Sequence, residues 1–163
     1  VELKDVDASL LKRAREVFNE EYTKGLCRDY NLYEGVKEGL EYFKQRGIKL
    51  AVVTNKPQMF ALPLLGYMGI KDCFDFILGG EVIPERKPDP RPLDYVLDRL
   101  HVDRKDAVMV GDSNNDIEAG NRAGMTTVFF TYGYNRMAPE ELNYDYSFDS
   151  FSELTSLIRS FPD

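Results

Sequence analysis

The chain has 163 residues, with 21 Lys+Arg against 28 Asp+Glu and a formal net charge of −7. That length supports one domain with a real core, and 43% apolar with 30% charged residues suits neither a disordered chain nor a membrane-spanning one. The acidic balance withholds the broad positive field that nucleic acid or an anionic membrane requires, so neither is expected as a partner.

Leu10, Ala14, Val17, Phe18 and Tyr22 recur at helical spacing and predict one amphipathic helix ending near Gly25. A polar stretch from Arg28 to Tyr30 follows. The next helix carries Val36, Leu40 and Phe43 on one face, with Lys44 and Arg46 in its last turn and Gly47 as its stop. From Ile48 to Thr54 the pattern becomes a β-branched apolar run, which predicts a strand buried on both faces. Pro57 stands where a helix can begin, and Pro63 inside that helix predicts a kink or break.

Phe76-Ile77-Leu78 reads as the next strand, ahead of Gly79-Gly80. A proline-rich turn from Lys87 to Pro92 then leads into a helix with Leu93, Val96, Leu97 and Leu100 on one stripe. Ala107 to Val110 is a third strand, ended by Gly111-Asp112. Ile117, Ala119 and Ala123 mark the following helix, which stops at Gly124. Thr126 to Phe130 is a fourth strand and Tyr146 to Phe148 a short edge strand. Ser150 with Glu153 forms a capping box for a last helix through Leu157 and Ile158. Strand and helix alternate from residue 48 onward, so the fold class is α/β with a doubly wound, Rossmann-like parallel sheet.

Ligands bind such sheets at the carboxyl ends of the strands, so the polar residues that end apolar runs carry the chemistry. Thr54-Asn55 offers a hydroxyl and backbone N–H groups suited to phosphate oxygens, although a plain helix cap would use the same residues. Lys87, held between the loop and Pro88, is a cation aimed at an anion or an ordinary surface lysine. Gly111-Asp112-Ser113-Asn114-Asn115-Asp116 brings two carboxylates to one strand end, where a Mg²⁺ ion would relieve their repulsion. Cys27 and Cys73 are the only cysteines and His101 the only histidine, which leaves a disulfide scaffold, a Cys-based zinc site and a Ser-His-Asp triad poorly supplied. With no signal peptide and no long apolar run, a reduced, cytoplasmic protein is expected.

Taken together, Thr54, Lys87 and Asp112/Asp116 stand about one βα unit apart and resemble the last three motifs of the haloacid dehalogenase-like hydrolases. Val53-Thr54-Asn55-Lys56-Pro57, Gly79-Gly80, Lys87-Pro88-Asp89-Pro90, Gly111-Asp112-Ser113, Asn115-Asp116-Ile117 and Thr131 to Asn135 are similar to the phosphoglycolate phosphatase branch. The resemblance implies a Mg²⁺-dependent phosphatase acting on a small phosphorylated acid such as 2-phosphoglycolate. It implies that Thr54 and Asn55 hold phosphate oxygens and that Lys87 offsets the phosphoryl charge. Asp112 would be a Mg²⁺ ligand and Asp116 would support the ion directly or through water. Tyr132 to Asn135, after the fourth strand, would shape the entrance or fill a core or loop role.

The family's first motif, DxDGT on an apolar strand, supplies the nucleophile and is not visible in this sequence. Asp5-Val6-Asp7 has the two carboxylates without the apolar strand or the Gly-Thr, and reads as helix capping. Residues 1–29 therefore read as the end of a helical cap, and 30–163 as an α/β core lacking its first strand. On this reading the chain is a fragment, inactive alone, with the missing segment or a second copy as its partner. A catalytically inactive phosphate-binding or regulatory protein of the same fold is the alternative. A receiver domain fits less well, because its order is carboxylate, hydroxyl, lysine, whereas this chain runs hydroxyl, lysine, carboxylate. A P-loop protein lacks its glycine-rich loop here.

Overall fold

The computed structural model describes residues 8–25, 30–133 and 141–161. It divides into two compact units, with the boundary between Asn31 and Leu32. The first contributes helix α1 (Ala8–Gly25), the helix expected from the spacing of Leu10, Val17 and Phe18. Leu10, Leu11, Val17 and Phe18 are exposed, and Phe18 stacks on Tyr22 with ring centroids 5.6 Å apart. The Asp5-Val6-Asp7 stretch lies outside the described residues.

The second unit begins with α2 (Val36–Gln45), which buries Leu40 and Phe43 as its apolar stripe requires. Strand β1 (Ala51–Pro57) starts three residues later than the apolar run suggests and runs on to Pro57. The reason for the late start is local. The Leu50 amide donates to Asp75 Oδ2 at 2.8 Å and the Leu50 carbonyl accepts from the Asp75 amide at 2.8 Å, so Asp75 occupies the groups a ladder would use. No residue of β1 is fully buried, which corrects the expectation of a strand covered on both faces.

Helix α3 (Gln58–Tyr67) follows, with Pro57 as its extended cap rather than its first residue. It runs through Pro63 without the expected break. Burial of Phe60, Ala61 and Leu64 holds it against the sheet and offsets the lost hydrogen bond. Strand β2 (Phe76–Gly80), helix α4 (Arg91–Leu100), strand β3 (Val108–Gly111), helix α5 (Asn114–Ala123), strand β4 (Thr126–Phe130), strand β5 (Tyr146–Phe148) and helix α6 (Phe151–Ser160) complete the unit. These match the predicted elements, and Ser150 Oγ accepts the Glu153 amide at the start of α6.

All three strand pairs are parallel. They form two sheets, however, β1-β2 and β3-β4-β5, instead of one. Among the described residues, β1 and β3 each carry a ladder on one edge only. A shared core still ties the halves together: Val53 of β1 packs against Leu93 of α4, Met109 of β3, and Ala119 and Ala123 of α5. On the other side, Phe43, Phe130 and Leu154 form a cluster joined by Leu50 and Phe151. Met109 is buried, yet Val108 and Val110 on the opposite face of β3 are 52% and 37% exposed. Apolar β-branched residues in that state mark an uncovered part of the core.

Candidate active site

Strand β1 and the first turn of α5, which follows β3, meet at one buried cation. Lys87 Nζ donates to the Val53 carbonyl at 2.5 Å and to Asp116 Oδ1 at 2.5 Å. Both side chains are at most one-tenth exposed. An ammonium buried this deeply needs a counter-charge and hydrogen bonds in place of water, and these two oxygens supply them. The loop lysine of the sequence is therefore no surface residue. It bridges the two half-sheets.

Two neighbouring elements fix its backbone and its partner. Asn55 Oδ1 accepts the Lys87 amide at 3.0 Å, and Asn55 Nδ2 donates to the Lys87 carbonyl at 2.9 Å. Asp116 belongs to a capping box with Ser113 at the start of α5. Its Oδ2 accepts from Ser113 Oγ at 2.6 Å, the Ser113 amide at 3.2 Å and the Asp112 amide at 3.3 Å. A Cβ on Gly111 would fall 2.2 Å from Asp116 Cβ, so glycine is what lets strand and carboxylate approach.

The sequence reading has Asp112 as a Mg²⁺ ligand, with Asp116 supporting the ion directly or through water. In the structure both oxygens of Asp116 are engaged by protein donors, and its counter-ion is Lys87. Among the described residues, no three His, Cys, Asp or Glu side chains gather as a metal-binding group. Asp112, next to the β3 end, is the carboxylate whose chemistry suits a hard cation as one oxygen ligand. Its side chain lies against Gly133, where a Cβ would come 2.1 Å from Asp112 Cβ and 2.2 Å from Oδ2.

Thr54 completes the rim. Its Oγ1 accepts the Lys56 amide at 3.1 Å, a local turn bond of the kind that capping alone would give. That bond uses the hydroxyl as acceptor and leaves its O–H as the group able to donate to a ligand. Thr54 and Asn55 sit beside Val53 and Lys87, while Asp112 joins through Asp116, so all five expected site residues occupy one rim.

Tyr132, expected near the entrance, packs edge-on against Tyr33 with centroids 4.6 Å apart. Burial chiefly, then the charges of Tyr33 and Asp112, push its hydroxyl pKa up to about 12. Tyr134 and Asn135 lie outside the described residues. His101 caps α4 in a left-handed conformation and takes no part in the Lys87 cluster. The sequence reading named Ser113 and Gly133 only within longer motifs, without the contacts they make, and missed the Val53 carbonyl. Ser113 carried a signal, as a hydroxyl three residues ahead of an acidic residue at a helix start. The contacts of the other two carried none, because a backbone oxygen and a close approach between the segments after β3 and β4 leave no mark in local sequence.

Comparison with known proteins gives a consistent picture. A family model described as haloacid dehalogenase-like hydrolase matches residues 2–130. The phosphoglycolate phosphatase of Haemophilus influenzae is 44% identical over 149 residues, covering 91% of this chain and 66% of that protein. That of Colwellia psychrerythraea is 40% identical over 159 residues, covering 96% and 70%. The chain thus spans about two thirds of the length of these curated relatives. Among solved structures, a predicted phosphoglycolate phosphatase from Haemophilus somnus superposes with a TM-score of 0.87 at 38% identity, over 95% of this chain and 69% of that one. CbbY from Rhodobacter sphaeroides, solved in complex with phosphate, superposes with a TM-score of 0.77 at 27% identity, over 92% and 67%.

Proposed function

The chain belongs to the haloacid dehalogenase-like hydrolases, and on that premise we propose that it forms the phosphate-binding half of a cytoplasmic, Mg²⁺-dependent phosphatase for a small phosphorylated acid. The substrate named for its relatives, phosphoglycolate, is the first candidate. The observation that carries this reading is the Lys87 ammonium, held on the site rim with two of its three N–H groups spent on Val53 and Asp116. The third is left for a phosphoryl oxygen.

The remaining roles follow from hydrogen-bond chemistry. Thr54 donates its hydroxyl proton to a phosphate oxygen while its acceptor side stays tied to Lys56. The Asn55 backbone amide adds a second donor. Asp112 is the residue of this chain that would hold Mg²⁺, and the ion, when bound, neutralises phosphoryl charge as a Lewis acid. Asp116 serves the site through Lys87 and the Asp112 turn. Phosphoryl transfer depends mostly on such placed charge, so these residues suffice to bind and polarise the group.

None of them is a nucleophile with a base beside it. In this reading the attacking carboxylate comes from the DxDGT strand of the family, seated against the unpaired edges of β1 and β3. Those edges, and the exposure of Val108 and Val110, support a position for it.

The test is a phosphate-release assay with 2-phosphoglycolate and Mg²⁺, using the chain alone and then mixed with a segment carrying a DxDGT strand. Activity confined to the mixture supports the reading. Robust activity from the chain alone, lost on Asp5→Asn, would move the catalytic carboxylates to Asp5 and Asp7. Phosphate binding without turnover in either case would favour the inactive phosphate-binding protein.

A further inference from the structure

The geometry points to Asn55 as a positioning residue, whose side chain acts on catalysis through Lys87 and does not touch substrate. The inference rests on the reading of Lys87 as the charge that faces the phosphoryl group. The sequence placed Asn55 among the phosphate-binding residues, and its backbone amide retains that role. Its side chain is committed elsewhere. The carboxamide oxygen accepts the Lys87 amide at 3.0 Å, and the carboxamide nitrogen donates to the Lys87 carbonyl at 2.9 Å.

A primary amide carries a donor and an acceptor fixed side by side in one plane, so it can replace both halves of a strand ladder at a single residue. Asn55 does this across 32 residues of chain. Lys87 lies in a loop and has no sheet to hold its backbone. Without the clamp, four rotatable side-chain bonds would start from a mobile Cα, and the ammonium would have to find Val53 and Asp116 at an entropic cost. With it, the origin of the side chain is fixed against the end of β1, the same segment that supplies Val53 and Thr54. The spacing between lysine charge and threonine hydroxyl is then set by one rigid turn.

Gln58, one turn further, repeats the device on β2: Oε1 accepts the Gly79 amide and Nε2 donates to the Ile77 carbonyl. Two amide side chains thus staple the β1–α3 turn, one to the neighbouring strand and one to the catalytic loop. Only the Asn55 staple bears on Lys87, which makes Gln58 an internal control.

The experiment compares Asn55→Ala, Asn55→Asp and Gln58→Ala with the unaltered chain. Each is treated with dilute acetic anhydride below its melting transition, and acylation of Lys87 is read by peptide mass spectrometry against exposed Lys49. Loss of the clamp is expected to raise the Lys87-to-Lys49 ratio about ten-fold in Asn55→Ala. In Asn55→Asp the ratio should also rise, since the donor to the Lys87 carbonyl is gone. In Gln58→Ala it should stay unchanged although stability falls. A ratio unchanged in folded Asn55 variants overturns the proposal, as does an equal rise in Gln58→Ala, which would signal general loosening. If Asn55→Ala does not fold, Asn55→Asp decides. Inorganic phosphate in the same assay tests the underlying reading. If it fails to protect Lys87 in the unaltered chain while the ratios shift as expected, the phosphate role falls and the clamp stands.

Discussion

Lys87 and Asp116 form a buried ion pair 2.5 Å apart that joins the loop after β2 to the first turn of α5. Among the described residues, neither charge has another ion-pair partner, so each makes the other tolerable. Removing one is therefore costly. Asp116→Ala is expected to destabilise the chain by about 3–5 kcal/mol, measured by urea denaturation. Pairing Asp116→Leu with Lys87→Met should recover much of that loss, because no uncompensated charge then remains buried. If the double variant is as unstable as the two single losses added together, the pair is not coupled as described.

Asp112→Asn removes one negative charge from the rim and keeps the side-chain shape. On the proposed function, in the mixture with a segment carrying a DxDGT strand, phosphate release with Mg²⁺ should fall by at least about 100-fold with the fold intact. Circular dichroism checks the fold and a phosphate-release assay the rate. Near-normal turnover would remove Asp112 from the metal.

Gly133→Ala tests the packing behind that carboxylate. Its new Cβ would fall 2.1 Å from Asp112 Cβ and 2.2 Å from Oδ2, closer than non-bonded heavy atoms can sit. The carboxylate must move, and divalent-cation affinity should drop about ten-fold or more, read by Mn²⁺ titration. A stability loss of about 1–3 kcal/mol is expected alongside. Unchanged affinity would mean that Asp112 does not bind the cation from the position seen.

Alkaline titration should single out Tyr132. Its hydroxyl pKa stands at about 12 in the fold against the ordinary value of 10.0, because burial and the nearby Tyr33 and Asp112 disfavour phenolate. The folded value is raised, so this contribution to stability is fully present below pH 10 and fades as pH climbs towards about 12. There the unfolded chain releases a proton that the folded chain retains. Ultraviolet titration should reveal a late-ionising tyrosine that disappears in Tyr132→Phe.

Much of this architecture was legible in the sequence for a physical reason. Val36/Leu40/Phe43 and Leu93/Val96/Leu97 repeat at the helical period because they face a core, and that repeat survives without knowledge of the core. Thr54, Lys87 and Asp112 were legible as a set because polar groups of these types recur about one βα unit apart in the chain, the order that the resembled family's motifs take. The partner of Asp116 was not, since a carboxylate four residues from another gives no sign that a lysine 29 residues upstream will claim it. The side-chain bonds of Asn55 were not legible for the same cause: both are made to a backbone distant in sequence. The start of β1 shifted because Asp75, in a separate element, captures Leu50.

The division of the sheet into β1-β2 and β3-β4-β5 bears on how the molecule breathes. Each half holds its own ladder, so amides bonded between β1 and β2, or within β3-β4-β5, share the stability of their half. Alternate amides of β1 and β3 point towards the unladdered edges and lack that protection. Hydrogen–deuterium exchange would then divide along this line, with two cooperative units of different opening energy. The Val53 contacts and the Lys87 bridge are their fastening, and a ligand spanning Thr54 and Asp112 would slow exchange in both halves at once.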